Sequence, residues 1–506
     1  MAGRLLKENR WVESAVGQGS AQAQAAAAVM LPGGDRDVTV VCVRARPALL
    51  SCEAQTDGVA VQGTVEFAAL YLTQEGALRQ RGAQTGFTAV IPVPGAGPKM
   101  RARVLVTAAE ETAREQDGRM ELGAVLHLEG LVTQGAERAL ARDIQSDGEM
   151  AVRTASLPLL RPEVRGQTSL AVAENFPLED EAFTRAALFE ARPEVQQVLP
   201  GDGQVVVAGE VAVDSLLAGA DAAAPVGWQR EVIPFSVEVT DDGFTAEMQV
   251  TATARVRDLV SEVVFNADDG QEGNLHIEYV LEVTADGLAG ADVPVLADAY
   301  PLSEEPFRAQ TAQVDYLRAM ETHRQEQQAA VQVELPAQAP ALQSMVGAFA
   351  SPAALDVTPG DGGVRAEGLL RIALLYRAPG REGLACVVQE APFSVEYDAI
   401  PAEAQVWRME LTGAQAERQS PTQAQVRVGL RLEALEAVSG SGQVLEEVAF
   451  EGEPVQLPAG AVLYYPEPGQ TLWDVARRYR VSEEALRARN PDGKAPLLVY
   501  RRLTGF

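Results

Sequence analysis

Only three cysteines, Cys42, Cys52 and Cys386, occur in 506 residues. That odd number, widely spaced, cannot build a disulfide framework or a clustered thiolate zinc site, so a reducing compartment is expected. Histidine is equally scarce. His127, His276 and His323 show no HExxH or HxxxH spacing, so no metal ligand and no catalytic residue is assigned among them. The sequence has no P-loop, no GxSxG elbow and no GxGxxG opening a helix after a strand, which removes the usual apparatus of nucleotide, acyl-transfer and dinucleotide chemistry. No run of about 18 apolar residues exists to form a transmembrane helix. The opening MAGRLLKENRWVESAV places charges where a signal peptide needs an unbroken apolar stretch.

Positive charge is in deficit too. Forty-two Lys and Arg stand against 71 Asp and Glu, a net charge of -29, and such a chain repels nucleic-acid phosphates. Aromatics make up only 5%, yet hydrophobic residues reach 47%, with 44 Gly and 29 Pro. This composition describes a folded, turn-rich protein of roughly three or four domains.

What is present is a repeat. ARPALLSCEAQTDGVAVQG, ARPEVQQVLPGDGQVVVAG and SPAALDVTPGDGGVRAEG each carry a proline, Pro47, Pro193 or Pro352, followed 16 residues later by Gly63, Gly209 or Gly368. Each continues into an apolar or alternating run that sets Leu70-Tyr71, Leu216-Leu217 and Leu375-Tyr376 at one offset, then reaches Phe87, Phe235 or Phe393. Period-two alternation broken at Asp-Gly turns reads as strand, hairpin, strand. Gly58, Gly203 and Gly362, beside Asp57, Asp202 and Asp361, are expected to take positive φ in those turns. Gly63, Gly209 and Gly368 are expected at a bulge or a close backbone approach, with the three phenylalanines in the core.

Between the copies, 141–154, 307–340 and 451–460 are polar or helix-permissive and read as connections. AAVQVEL within the second is assigned as a strand of the third copy. The tract AQAQAAAAVM, residues 21 to 30, is compatible with helix or strand. The acidic loop 266–274, with Asp268, Asp269, Glu272 and Asn274, does not follow the spacing of a calcium-binding EF-hand.

The C-terminus differs in kind. Residues 462–506 hold eight Lys or Arg and five Asp or Glu, leaving -32 on the residues before them. Their pattern predicts strand, helix, helix, strand. Thr471 is the N-cap of the first helix with Asp474 at N3, while Leu472, Val475, Ala476 and Tyr479 share one face. Ser482 caps the second helix, which places Glu483 and Glu484 in its first turn and ends by Asn490-Pro491.

Pro468-Gly469, Thr471-Leu472-Trp473, Ala476, Tyr479, Val481 and Asn490-Pro491 give this segment a sequence that resembles a LysM domain. The resemblance implies a ligand groove formed by Gly469, Gln470, Thr471, Leu472, Asn490, Pro491 and Asp492. This copy departs from the family at Arg480, where a small residue is usual, and in its shortened end after Pro491. Taken together, the repeats and this ending resemble clostridial sporulation proteins that carry spore-coat-associated (SPOCS-type) repeat domains before a terminal LysM domain.

The expectation is therefore a mainly β chain, with three tandem β-rich repeat domains followed by a small βααβ LysM domain. The boundaries are an N-terminal segment 1–22, repeats at 23–145, 155–300 and 315–450, and the LysM domain at 459–506. The resemblance implies a non-enzymatic scaffold, without cofactors, that is made in the mother-cell cytoplasm and recruited to the forespore surface. Its implied partners are the spore coat's morphogenetic ATPase and other coat proteins, met through Trp473, Arg477, Arg478, Tyr479 and Arg480. The alternative is a peptidoglycan or N-acetylglucosamine anchor.

Overall fold

Period-two alternation runs along nearly the whole chain, and the chain answers it with strands. A computed structural model describes residues 4–32, 35–220, 223–265, 273–360, 362–453, 455–458 and 460–501. Asp268, Asp269 and Glu272 of the acidic loop, and the turn residue Asp361, lie outside the described residues.

The first six strands are β1 (Arg4–Met30), β2 (Thr39–Gln55), β3 (Gly58–Leu72), β4 (Leu78–Pro92), β5 (Arg101–Gln116) and β6 (Arg119–Gln145). They form two antiparallel sheets, β1-β6-β5 and β2-β3-β4. Inward residues of both sheets, among them Val61, Phe67, Ile91, Leu126 and Leu128, share one buried core. Next come β7 (Met150–Leu160), β8 (Val164–Pro177), β9 (Arg185–Gly201), β10 (Gln204–Ala218), β11 (Val226–Thr240), β12 (Gln249–Phe265), β13 (Gly273–Leu288) and β14 (Gly290–Pro301). These make the sheets β12-β13-β8 and β11-β10-β9 around a second core, plus a separate β7-β14 pair. Finally β15 (Arg308–Glu334), β16 (Ser344–Gly360), β17 (Gly363–Arg377), β18 (Leu384–Tyr397), β19 (Val406–Ser420) and β20 (Gln423–Ala449) enclose a third core between β15-β20-β19 and β16-β17-β18.

Each sandwich thus pairs its first long strand with its last. β1, β6, β15 and β20 are 27 residues each, and their far halves leave the sandwich as a two-stranded ribbon. In the second sandwich Pro162, which cannot donate to a ladder, falls in the gap between β7 and β8. In β1 and β15 a bulge lies at the matching place, between Ala15 and Gly17 and between Leu317 and Ala319. A bulge adds twist and bends the strand, so the ribbon leaves its sandwich at an angle. The three ribbons pack on one another through Val12, Leu140, Leu157, Val295, Val314 and Val444.

The sandwiches also meet at a hub. Leu70, Leu216 and Leu375, all fully buried, share one cluster with Leu72, Leu188 and Phe349, while their neighbours Tyr71, Leu217 and Tyr376 turn into the separate sandwich cores. The ends of β3, β10 and β17 are therefore covered on both faces, which is why they read as continuous apolar runs. Arg44 crosses this hub: its Nε donates to Glu190 Oε1 at 3.0 Å and its NH1 to the carbonyl of Ala350, so one guanidinium ties all three sandwiches. Burial alone would lower its pKa, but the Glu190 and Glu111 carboxylates outweigh that and raise it.

Several expectations resolve here. Residues 21 to 30 are strand, the end of β1, with Ala23 and Ala25 buried in the first core. β1 crosses β4 so closely that a side chain at Gly19 would strike the Pro92 carbonyl, which favours small residues along this stretch. The strand also runs through residue 22 without a break, and the polar stretch 307–340 contains β15 rather than a loose connection. Pairing with β20 overrides the helix-permissive composition there. Gly203 and Gly362 take positive φ, but in the first turn Asp57, at φ 57°, does so in place of Gly58. Gly63, Gly209 and Gly368 stand opposite Phe87, Phe235 and Phe393 in the ladders, beside bulges in the preceding strands. A Cβ at any of the three would collide with a carbonyl oxygen of the neighbouring strand.

Candidate functional site

The C-terminal module is built as its sequence indicates. β21 (Gly460–Tyr464) pairs with β22 (Leu497–Arg501), and α1 (Leu472–Tyr479) and α2 (Glu483–Arg489) lie between them in sequence. A full capping box opens α1, with Asp474 N–H donating to Thr471 Oγ1 at 3.3 Å and Thr471 N–H to Asp474 Oδ2 at 2.8 Å. The Thr471 backbone and hydroxyl bonds hold the Asp474 carboxyl below its ordinary range. Ser482 caps α2 by accepting from Ala485 N–H.

The inward side chains Val475, Ala476, Leu486, Leu497 and Val499 leave their cluster incomplete, and Tyr300 of β14 completes it. Trp473 is buried edge-on against Tyr300, ring centroids 4.8 Å apart, and its Nε1 donates to Asp298 Oδ2 at 2.8 Å. Arg477 reaches the same oxygen at 2.8 Å. Tyr300 OH donates to the Val481 carbonyl at 2.8 Å, Arg480 reaches the Pro301 carbonyl and lies over the Phe307 ring, and Arg501 pairs with Glu304 at 2.7 Å. Burial, then the nearby Glu483 and Asp298 charges, push the Tyr300 hydroxyl above its ordinary value. The basic module is thus seated on an acidic ribbon tip.

This seat engages several residues read from the sequence as partner-facing. Trp473, Arg477 and Arg480 face Asp298, Tyr300, Pro301 and Phe307 of the same chain. Arg478 instead reaches Tyr464, with its guanidinium 5.4 Å from the ring centroid, and Tyr479 packs edge-on against that ring. Asp298, Tyr300 and Glu304 went unread because they lie more than 170 positions from their partners and no local pattern marks them.

The groove residues are only partly free. Gln470 Oε1 accepts from Tyr464 OH and Glu467 N–H. The Asn490 amide is engaged at both ends: its Nδ2 donates to Leu486 and Leu498 carbonyls, and its Oδ1 accepts from Leu498 N–H at 2.7 Å. Gly469, at φ 91°, has open space around it, and Thr471, Pro491 and Asp492 are exposed, with Leu472 half-buried. On the far side of the β21-β22 pair, Leu463, Tyr465, Leu498 and Tyr500 stand out at 64%, 68%, 38% and 45% exposure, and Arg489 lies over the Tyr500 ring.

Elsewhere, each histidine stands beside a glutamate: His127 Nε2 is 3.2 Å from Glu129, His276 Nε2 is 3.9 Å from Glu278, and His323 Nε2 is 3.0 Å from Glu436. Burial pushes the Cys42 and Cys386 thiols up to about 12, so neither is a thiolate nucleophile at neutral pH. No helix among the described residues is long and apolar enough to cross a membrane.

Comparison with known proteins matches residues 38–112 to the family model described as SipL, SPOCS domain. The match covers the β2-β3-β4 sheet and most of β5, a minor part of the chain, and ties that segment to sporulation and the spore coat. No curated protein and no solved structure matches the chain.

Proposed function

We propose that this chain is a non-enzymatic scaffold of the spore coat, made of three repeats of one β-sandwich and a terminal LysM-type module. In this reading the protein is synthesised in the mother-cell cytoplasm and recruited to the forespore surface, where it links the morphogenetic ATPase of the basement layer to other coat proteins. The family match within the first sandwich supports the sporulation setting. The recurrence of the glycine-phenylalanine pairs, the bulged long strands and the shared hub supports descent of the three sandwiches from one unit.

The observation that carries the protein-binding reading is the outer face of β21-β22. Leu463, Tyr465, Leu498 and Tyr500 are exposed although the module's own core is filled from the other side. Exposed aromatic and aliphatic side chains beside an arginine are the composition of a protein-protein contact. The glycan alternative rests on the open loop at Gly469, while the engagement of Asn490 within the fold counts against it.

Calorimetric titration of the full chain separates these readings. Saturable binding to the purified coat ATPase, lost in Leu463→Glu/Tyr500→Glu, is the expected result. Binding to N-acetylglucosamine oligomers without binding to the ATPase would replace the scaffold reading with the anchor. A spore coat that forms normally without this protein would remove the scaffold reading altogether.

A further inference from the structure

We propose that Glu321, His323 and Glu436 form a binding site for a divalent first-row transition-metal ion, of the class represented by zinc. Glu321 and His323 are two apart on β15 and so share one face of the strand. Glu436 lies on β20 directly opposite Glu321 in the ladder. One ligand atom from each lies within 4.8 Å of the others.

The geometry suits such an ion. Nitrogen and oxygen donors at about 2.0–2.1 Å from a tetrahedral zinc stand about 3.3 Å apart. His323 Nε2 is 3.0 Å from Glu436 Oε2 and 3.8 Å from Glu321 Oε2, separations that bracket that spacing. The third pair, Glu321 and Glu436, lies within 4.8 Å, so side-chain rotations that close it by up to about 1.5 Å bring all three onto one ion, with a fourth position for water. The backbone positions are fixed by the ladder between β15 and β20, which runs without a register shift from Ala319 opposite Val438 to Glu334 opposite Gln423.

The charge balance points the same way. Like charges directly opposite on neighbouring strands are destabilising, yet Glu321 and Glu436 occupy such a pair. Among the described residues neither forms an ion pair with arginine or lysine; His323 is the only basic group on either. Two other acids of the same strands are arginine-paired, Glu433 with Arg324 and Arg408 and Glu326 with Arg431. A divalent ion held between the two carboxylates offsets both. The imidazole disfavours calcium and magnesium, the absence of thiolates disfavours copper(I), and affinity should rise from manganese to copper(II) and fall again at zinc.

The test is calorimetric titration of the metal-stripped full chain with zinc sulfate. The expected result is a saturable site with a micromolar dissociation constant, weakened at least about tenfold in His323→Gln and in Glu436→Gln and unchanged in His127→Gln and His276→Gln. Glu321→Gln, at a half-exposed position, provides a variant that folds. Its melting temperature without metal should equal or exceed that of the parent chain, and zinc should raise it less. No saturable binding up to about 1 mM zinc, or a site that survives in folded Glu321→Gln and His323→Gln unchanged, overturns the proposal.

Discussion

Replacing Glu111 by glutamine should change how the stability of this protein depends on pH. Glu111 lies on β5 at the hub and is 4% exposed. Its Oε1 accepts from Ala45 N–H at 2.8 Å, but its Oε2 has no hydrogen-bond partner among the described residues. Burial pushes its carboxyl up to about 7 from 4.5, although Arg44 and the Ala45 amide pull the other way. The folded chain thus holds this proton more tightly than the unfolded chain does. This group's effect on stability is complete below the unfolded value, and stability is lost as pH rises from about 4.5 through 7. A displacement of about 2.5 units corresponds to about 3 kcal/mol by pH 8. Glutamine cannot ionise, so the stability of Glu111→Gln minus that of the parent chain should rise by about 3 kcal/mol between pH 4.5 and pH 8, whatever constant offset the amide introduces. Urea unfolding of both proteins across that range measures the difference. Parallel stability profiles would show that Glu111 is not strained at the hub and would refute the reasoning.

Gly209→Ala should destabilise the second sandwich by about 1–3 kcal/mol, because its Cβ would meet the Glu194 carbonyl and sit 3.0 Å from the Phe235 ring. Gly290→Ala, with nothing within 4 Å, should leave the melting temperature nearly unchanged and serves as its control. Trp473→Ala should cost the module's seat about 3–5 kcal/mol and be seen as faster proteolysis within residues 451–458. Asp298→Asn retains an oxygen for the indole but removes the charge that meets Arg477 at a side chain only 13% exposed, so its effect should be about 1.5–3 kcal/mol. Leu70→Ala and Leu216→Ala should each cost about 2–5 kcal/mol. Because both side chains share the hub cluster, their combined effect in thermal unfolding should depart from additivity.

Local pattern carried much of this fold. The helix caps at Thr471 and Ser482 and the glycines opposite phenylalanines follow from backbone geometry that a few neighbouring residues determine. Long-range pairing was not legible. The Gln-rich half of β15 is a strand because β20 lies beside it, and the alanine tract is the end of β1 because β6 pairs with it from Ala21 opposite Leu128 to Met30 opposite Arg119. The apolar runs containing Leu70, Leu216 and Leu375 did carry a signal, since strands buried on both faces lose their alternation. Which surfaces meet there depends on the association of three sandwiches. The candidate site divides in the same way: the module's elements could be read from its sequence, but its seat on Asp298 and Tyr300 could not. The Glu321-His323-Glu436 cluster was missed for a related reason, because its third member arrives from a strand more than 100 residues away.

The long strands also make this molecule a mechanical linkage. A strand of 27 residues at about 3.3 Å per residue extends roughly 90 Å, and it belongs to a sandwich at one end and a ribbon at the other. Force applied along a ribbon is carried into the sandwich as shear, with many ladder hydrogen bonds loaded together, rather than by peeling them one at a time. The bulges and the break at Pro162 are then the points where such a strand can bend without losing its pairing. A tether held at the ribbon tip would pull on all three sandwiches through covalently continuous or closely packed strands, and none would have to bear the load through a flexible linker.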